Sequence, residues 1–165
     1  VPVAAEHVPE LRRILRTPEV RRRWGDEEAE SADWPFDDPW STPFAVLIGG
    51  ALRGFIQYGE EEAEMYRSAS IDIFLEATVH GRGHGRAAIV ALAEHLIDDR
   101  GHHRLTIDPA ADNQAAIRCY ASVGFRPVGI MREYERDADG PGWHDGLMMD
   151  LLAGELRREP VTGPR

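Results

Sequence analysis

The sequence predicts one α/β (α+β) domain, a mixed and mostly antiparallel central sheet flanked by helices on both faces. Three observations lead there. At 165 residues the chain has room for about one domain and can hide roughly 70% of its unfolded surface without disulfides or metal. Its composition, 42% hydrophobic and 29% charged, is that of an ordinary globular protein. The apolar periodicity runs helices, three antiparallel strands, helix, strand, helix, two strands, which describes helices packed on a mixed sheet.

Val8, Leu11, Ile14 and Leu15 keep one apolar face, with Pro9 tolerated in the first helical turn. Thr17-Pro18-Glu19 reads as an N-cap, a first helical residue and an acid at the positive helix end, and Gly25 stops this short helix after Trp24. A loop rich in Pro, Asp and Glu covers residues 26–42 and carries Trp34, Phe36 and Trp40. Gly49-Gly50, between Phe44–Ile48 and Leu52–Tyr58, is a hairpin signal. A polar connection, Gly59–Arg67, leads to a strand at Ser70–Leu75 that alternates Ile71, Ile73 and Leu75 against Ser70, Asp72 and Phe74. Arg86–Asp99 is expected to be a helix closed by Gly101, Arg104–Asp108 a strand, and Gln114–Val123 a helix closed by Gly124. Pro127–Glu135 and Gly146–Leu152 complete the strands through a turn at Asp139–Gly142, and residues 154–165 read as a polar tail. No repeat or linker interrupts residues 1–165, and the first strand is expected to be cut short at Val1. With no charged-then-apolar leader in view, the expected location is the cytoplasm.

Acids outnumber Lys plus Arg 29 to 19, a net charge of −10. Such a balance counts against a nucleic-acid-binding surface or an anionic-membrane anchor, both of which need clustered basic charge. It suits cationic partners, and equally serves solubility alone. The single cysteine, Cys119, excludes an internal disulfide and a Cys-rich zinc site. The longest apolar stretch, Phe44–Leu52, is broken by Gly49-Gly50 and falls far short of the roughly 18 residues of a membrane span.

Chemistry is most concentrated in His80-Gly81-Arg82-Gly83-His84-Gly85-Arg86, directly after a strand and before a helix. Its glycines let backbone amides approach a ligand, and the helix start adds a positive dipole end. A diphosphate suits such a loop, with Arg82 and Arg86 as charge partners; a plain flexible turn is the competing reading. The sequence lacks a Gly-Lys-Ser/Thr ending for a nucleoside-triphosphate loop and a first-strand position for a dinucleotide fold. No metal site is expected, because glycines between His80 and His84 prevent a helix from holding both imidazoles on one face.

A second pattern joins Asn113, Ala116, Tyr120, Gly124 and Phe125. By periodicity this is a helix face with a packed Tyr. Paired with the glycine loop, it resembles the GCN5-related N-acetyltransferase superfamily, whose coenzyme loop reads Q/R-x-x-G-x-G/A and whose later helix reads N-x-x-A-x-x-x-Y-x-x-x-G-F. The helix pattern matches in full; the loop matches at Gly83 and Gly85 but carries His80 where Gln or Arg is usual. That departure leaves the diphosphate grip to Gly81–Gly85 amides, Arg82 and Arg86.

The resemblance implies acetyl-coenzyme A as co-substrate, direct transfer to an amine, and no covalent acyl-enzyme. It implies that Ile73, Phe74 and Leu75 run along the pantetheine arm through backbone hydrogen bonds, with Asn113, Ala116 and Tyr120 completing the coenzyme site. Tyr120 would lie near the sulfur. A thiolate near pKa 8.5 and a phenol near 10 are about 1.5 units apart, so the phenol can protonate the leaving group.

The acceptor is read from two acidic runs. Asp26, Glu27, Glu28, Glu30, Asp33, Asp37 and Asp38 interleave with Trp34 and Phe36, and Glu60, Glu61, Glu62 and Glu64 follow. Carboxylates with aromatic walls suit a polycation; a solvated acidic loop is the alternative. Val20-Arg-Arg-Arg-Trp24-Gly25, Ile71-Asp72, and Asp108-Pro109 through Tyr120 are similar to aminoglycoside 6′-N-acetyltransferases. That likeness implies antibiotic modification, with Asp72 and Asp108 facing the acceptor and Trp24 walling it. An Asp near 3.9 and an alkylammonium near 10.4 differ by about 6.5 units, roughly 9 kcal/mol. Asp72 is therefore expected to orient the amine while a water relay removes the proton. Competing structural roles are an Arg-paired strand carboxylate for Asp72 and a helix cap for Asp108.

The Trp143-His144-Asp145 turn also looks like acetyltransferases of ribosomal-protein N-termini and small amines. A non-catalytic acyl-coenzyme A module is a third reading, although Tyr120 and Asp72 favour an enzyme. His144 and Asp145 are expected to stabilise their turn, Cys119 to be packing, and His102 and His103 to complement a helix end. Strand edges and aromatic loops would favour a homodimer.

Overall fold

Pro9 and Pro18 each occupy a first helical turn, where a missing N–H costs nothing, and two short helices follow: α1 at Val8–Leu15 and α2 at Pro18–Trp24. The computed structural model describes residues 1–25 and 31–158. Thr17 holds the N-cap position of α2, but its hydroxyl donates back to the Ile14 carbonyl at 2.7 Å. After the loop, β1 (Ser41–Ile48) and β2 (Ala51–Glu61) meet across Gly49-Gly50, both at positive φ. Residues Val1–Val3 run along the outer edge of β1. β2 also pairs with β3 (Ser68–Leu75), from Gly54 opposite Leu75 to Glu61 opposite Ser68. Next come α3 (His84–Glu94), a π-turn at His95–Asp99, β4 (Arg104–Ile107), α4 (Gln114–Val123), β5 (Arg126–Arg136) and β6 (Trp143–Leu152). The six-stranded sheet has the order β1-β2-β3-β4-β6-β5, antiparallel except between β3 and β4.

Alternation along β2 and β3 feeds two cores. Ile56, Tyr58 and Ile71 pack with Ile89, Leu92, Leu96 and Val123 of the α3–α4 layer. Phe55 and Phe74 point the other way, onto Leu11, Ile14, Leu15, Val20 and Trp34. Burial of each large aliphatic side chain contributes about 1.5–3 kcal/mol. Phe55, Phe74, Trp24 and Trp34 form one aromatic cluster, with Trp24 edge-on to Phe74 at 4.9 Å between ring centroids.

Four sequence expectations change. The polar connection begins later than Gly59, because β2 carries on through Glu60 and Glu61; Arg100 and His102 satisfy Glu60 from the far side of α3. The helix expected from Arg86 begins at His84 and gives way to the π-turn after Glu94. Trp143, His144 and Asp145 lie in strand β6 rather than in a turn, and His144 pairs with Glu135 and Asp137 instead of Asp145. Residues 154–158 of the expected tail are docked: the Arg157 amide donates to the Val123 carbonyl, and Arg158 pairs with Asp98 and Glu94.

One buried carboxylate ties three elements together at the end of β3. Glu76, 9% exposed, takes Arg13 of α1 and Arg53 of β2 at 2.6 Å each, plus the Thr78 hydroxyl at 3.0 Å. Those donors, Arg13 first, hold its pKa at about 2 against an ordinary 4.5. A lowered folded-state pKa means that this contribution is complete above pH 4.5 and is lost as the pH falls towards 2. Glu76→Gln should therefore cost about 1–3 kcal/mol at neutral pH. Denaturant titrations of both proteins should show the difference shrinking between pH 4.5 and 2; a gap independent of pH would assign the loss to packing.

Candidate active site

The glycine loop starts where Glu76 anchors the end of β3. His80 closes the next turn through Nε2, 2.9 Å from the Leu75 carbonyl. Gly81 and Gly83 then adopt φ of 71° and 83°, the left-handed region that glycine enters without strain, and Gly83 is the N-cap of α3. The first intrahelical bond runs from the Ala87 amide to the Gly83 carbonyl, so the His84, Gly85 and Arg86 amides head the helix without intrahelical partners. A side chain built at Gly81 or Gly83 would meet nothing within 4 Å. An open loop ending in first-turn amides fits a diphosphate. Arg82 is exposed, whereas Arg86 directs a guanidinium nitrogen to the Arg157 carbonyl at 2.6 Å. The Arg86 side chain thus serves the docked C-terminal segment, a job that local sequence did not suggest.

Beside the loop, β3 and β4 separate. They pair only at Ala69 with Leu105 and Ser70 with Thr106. Beyond Ser70 the edge of β3 facing β4 has no ladder partner among the described residues; alternation turns Ile73 and the Leu75 amide to that edge, while the Leu75 carbonyl holds His80 and the Phe74 backbone faces β2 opposite Phe55. The Phe74 ring belongs to the aromatic core on the other face.

Asn113 caps α4 by accepting from the Ala116 amide at 3.3 Å. Asp108 is therefore not the helix cap. Ala116 and Cys119 pack against the α3–α4 core, and burial pushes the Cys119 thiol up, which suits packing rather than nucleophilic chemistry. Tyr120, on the same helix, is buried, its ring 6.4 Å from Phe125. Burial drives the phenol well above its ordinary pKa of 10, with smaller contributions from Cys119, Asp72 and Asp108. Burial thus holds Tyr120 in its protonated form and widens the gap in acidity expected from free side chains.

Asp72 lies opposite Gln57 in the β2–β3 ladder, and Gln57 Nε2 donates to its carboxylate at 3.3 Å. Gln57 also lines an open groove of about 430 Å³ with Trp34, Asp37 and Asp38. Asp37 and Asp38 are exposed, as is Phe36, while Trp34 is buried in the aromatic cluster. Arg12 holds this loop to α1 through the carbonyls of Ser31, Ala32 and Trp34. Asp26, Glu27, Glu28 and Glu30 lie outside the described residues. Glu60, by contrast, is committed to Arg100 and His102 at the end of β2 away from the glycine loop. Trp24 is half-buried against Phe55 and Phe74.

Tyr134 was not singled out by sequence reading. Asp108 beside its hydroxyl, together with burial, pushes the Tyr134 pKa up to about 12. The available signal was Gly146 in the facing strand, since glycine inside a strand often marks a bulge or a close approach. Among the described residues no group of three or more His, Cys, Asp or Glu could hold a metal ion, and no helix is long and apolar enough to cross a membrane.

Comparison with known proteins identifies the family of the fold. The model of the Acetyltransferase (GNAT) family matches residues 8–125. The aminoglycoside N(6′)-acetyltransferase type 1 of Klebsiella pneumoniae is 26% identical over 137 residues, covering 72% of this chain and 66% of that protein's length. The [ribosomal protein bS18]-alanine N-acetyltransferase of Escherichia coli K12 is 33% identical over 113 residues, 66% of this chain and 69% of the relative. Among solved structures, the spermidine N-acetyltransferase of Vibrio cholerae, crystallised with CoA and spermine, superimposes with a TM-score of 0.78 at 17% identity, covering 94% of this chain and 95% of that one.

Proposed function

The chain belongs to the GNAT acetyltransferase family, and on that premise we propose that it moves the acetyl group of acetyl-coenzyme A directly onto a primary amine of a polycationic small molecule, with the 6′-amine of an aminoglycoside as the best-fitting acceptor. What supports the reading is that Asp72, on the stretch of β3 that β4 does not pair, and Asp108, just past β4, both bear on the phenol of the buried Tyr120. When bound, acetyl-coenzyme A supplies an activated thioester. The Gly81–Arg86 loop would hold its diphosphate, the free edge of Ile73–Leu75 its amide-bearing arm, and Tyr120 would donate a hydrogen bond where the sulfur takes on negative charge.

On the acceptor side, Gln57 fixes the carboxylate of Asp72, which then orients an incoming ammonium group. The proton leaves through water, because a carboxylate is too weak a base to remove it outright. Asp108 offers a second anchor, and Asp37 and Asp38 extend the negative surface along the groove. Likeness to the aminoglycoside enzyme of K. pneumoniae supports this acceptor class. The 33% identity to a ribosomal-protein alanine N-acetyltransferase favours a second reading, transfer to a peptide N-terminus.

Two measurements test the proposal. Calorimetry should find acetyl-coenzyme A binding that Tyr120→Phe leaves nearly intact while turnover falls roughly 10- to 1000-fold. The rate–pH profile should show no alkaline limb from Tyr120, since its pKa is raised; unchanged turnover with chemistry rate-limiting would make Tyr120 a packing residue.

A turnover panel of kanamycin, tobramycin, spermidine and an alanine-initiated peptide addresses the acceptor. Exposed carboxylate–ammonium contacts should contribute about 1 kcal/mol each and weaken with salt. Aminoglycoside KM should accordingly climb with ionic strength, and Asp72→Asn should damage kcat/KM far more than coenzyme binding. Turnover confined to the peptide, with little salt dependence, would move the assignment to N-terminal acetylation.

A further inference from the structure

Strand β5 does not pair with β6 continuously. Met131 faces Gly146 and the next paired residue, Glu135, faces His144, so β5 takes four steps while β6 takes two. The surplus bulges out at Arg132, Glu133 and Tyr134. Glu133 adopts φ of 49°, a left-handed conformation uncommon for a residue with a side chain, and its amide is latched by the Asp145 carboxylate at 2.8 Å. The bulge turns the Tyr134 ring across β6 where the crossed strand has no side chain. A Cβ at Gly146 would sit 2.8 Å from Tyr134 Cδ1 and 3.0 Å from Met131 Cε. β4 runs just beyond, because Ala110 bridges to Gly146 and the Leu147 amide donates to the Pro109 carbonyl. By crossing at Gly146, Tyr134 reaches Asp108.

We propose that Tyr134 is a positioning residue of the acceptor site: its hydroxyl holds the Asp108 carboxylate for an incoming ammonium group, and its ring offers that acceptor an aromatic face. This rests on the reading of Asp72 and Asp108 as acceptor-side groups. Three observations support it. The ring is 48% exposed although its hydroxyl is engaged, so one side of it remains open to a ligand. Tyr134 lies in the field of Asp72 as well as Asp108, and so belongs to the same cluster as Tyr120. The bulge, the latched Glu133 and the bare Gly146 all serve one outcome, delivery of this side chain across a strand, and β-bulges commonly re-aim side chains at sites.

Tyr134→Phe keeps the ring and removes the bond to Asp108. A hydrogen bond to a charged group of ordinary strength corresponds to roughly a tenfold rise in acceptor KM, with the KM for acetyl-coenzyme A unchanged. Gly146→Ala should reproduce the effect by displacing the ring, with thermal melting used to separate it from unfolding. Kanamycin, spermidine and the alanine-initiated peptide serve as acceptors. In a double-mutant cycle, Tyr134→Phe should add little once Asp108→Asn is present. If Asp108→Asn damages acceptor KM while Tyr134→Phe does not, this inference falls and the acceptor-site reading stands; if neither matters, both fall. A readout that needs no acceptor runs alongside. At about pH 10.5, Asp108→Asn should gain one tyrosinate in ultraviolet absorbance, because the freed phenol returns towards 10. That gain must vanish in the Tyr134→Phe background, and its persistence there would overturn the assignment.

Discussion

Everything at the candidate site depends on where β4 stops following β3 and starts following β6. The two central strands share only two paired positions. Beyond Ile107 the chain stays bonded to β6: the Leu147 amide donates to Pro109, Ala110 bridges to Gly146, and the Ala111 amide donates to Asp145. β3 meanwhile stays with β2 along its whole length. A strand bonded to each of two diverging neighbours leaves a wedge. The wedge exposes backbone groups of Ile71–Leu75 that would cost free energy if buried unpaired. It also joins the two faces of the sheet. Tyr120 comes from the α3–α4 side and Asp72 lies on the α1–α2 side, yet each is within the other's field. In an unbroken sheet, the ladder would keep those groups apart.

Charge is distributed to match. Much of the excess acid is occupied structurally: Glu76 by Arg13 and Arg53, Glu60 by Arg100 and His102, Asp98 by Arg158. Net charge therefore overstated what is available for a ligand. Gln57 donates to Asp72, and Tyr134 bears on Asp108; both of these neighbours are uncharged groups.

Local rules were legible in the sequence wherever a single turn decided the outcome. Pro18 and Gly25 bounded α2, Gly49-Gly50 bounded the hairpin, Gly124 closed α4, and Gly83 and Gly85 marked the loop. Sequence reading failed where a distant partner overruled local polarity. Glu60 and Glu61 read as connection, yet ladder pairing and Arg100, forty positions away, keep them in β2. Residues after Ala153 read as tail because Val123, Glu94 and Asp98 are remote in sequence. Tyr134 was missed because strand periodicity says nothing about a bulge. Family likeness singles out Asp72 and Asp108, but it is silent on their neighbours Gln57 and Tyr134.

On the proposed assignment, a split between donor and acceptor halves would explain why one fold accommodates relatives named for aminoglycosides, a ribosomal-protein alanine and spermidine. The donor half here is made of backbone: helix-terminal amides, a free strand edge, glycine conformations. Such features depend on topology and survive large changes in side chains. The acceptor half is made of side chains on elements joined by exposed ion pairs, Arg23 with Asp112 and Arg21 with Asp139, which connect α2 to the β4–α4 and β5–β6 connections. Exposed pairs of this kind contribute about 0–1 kcal/mol each. Rearranging them around a charged acceptor costs little, and substituting them costs the fold little. Specificity can therefore diverge on this half of the molecule while Glu76 and the wedge keep the other half in register.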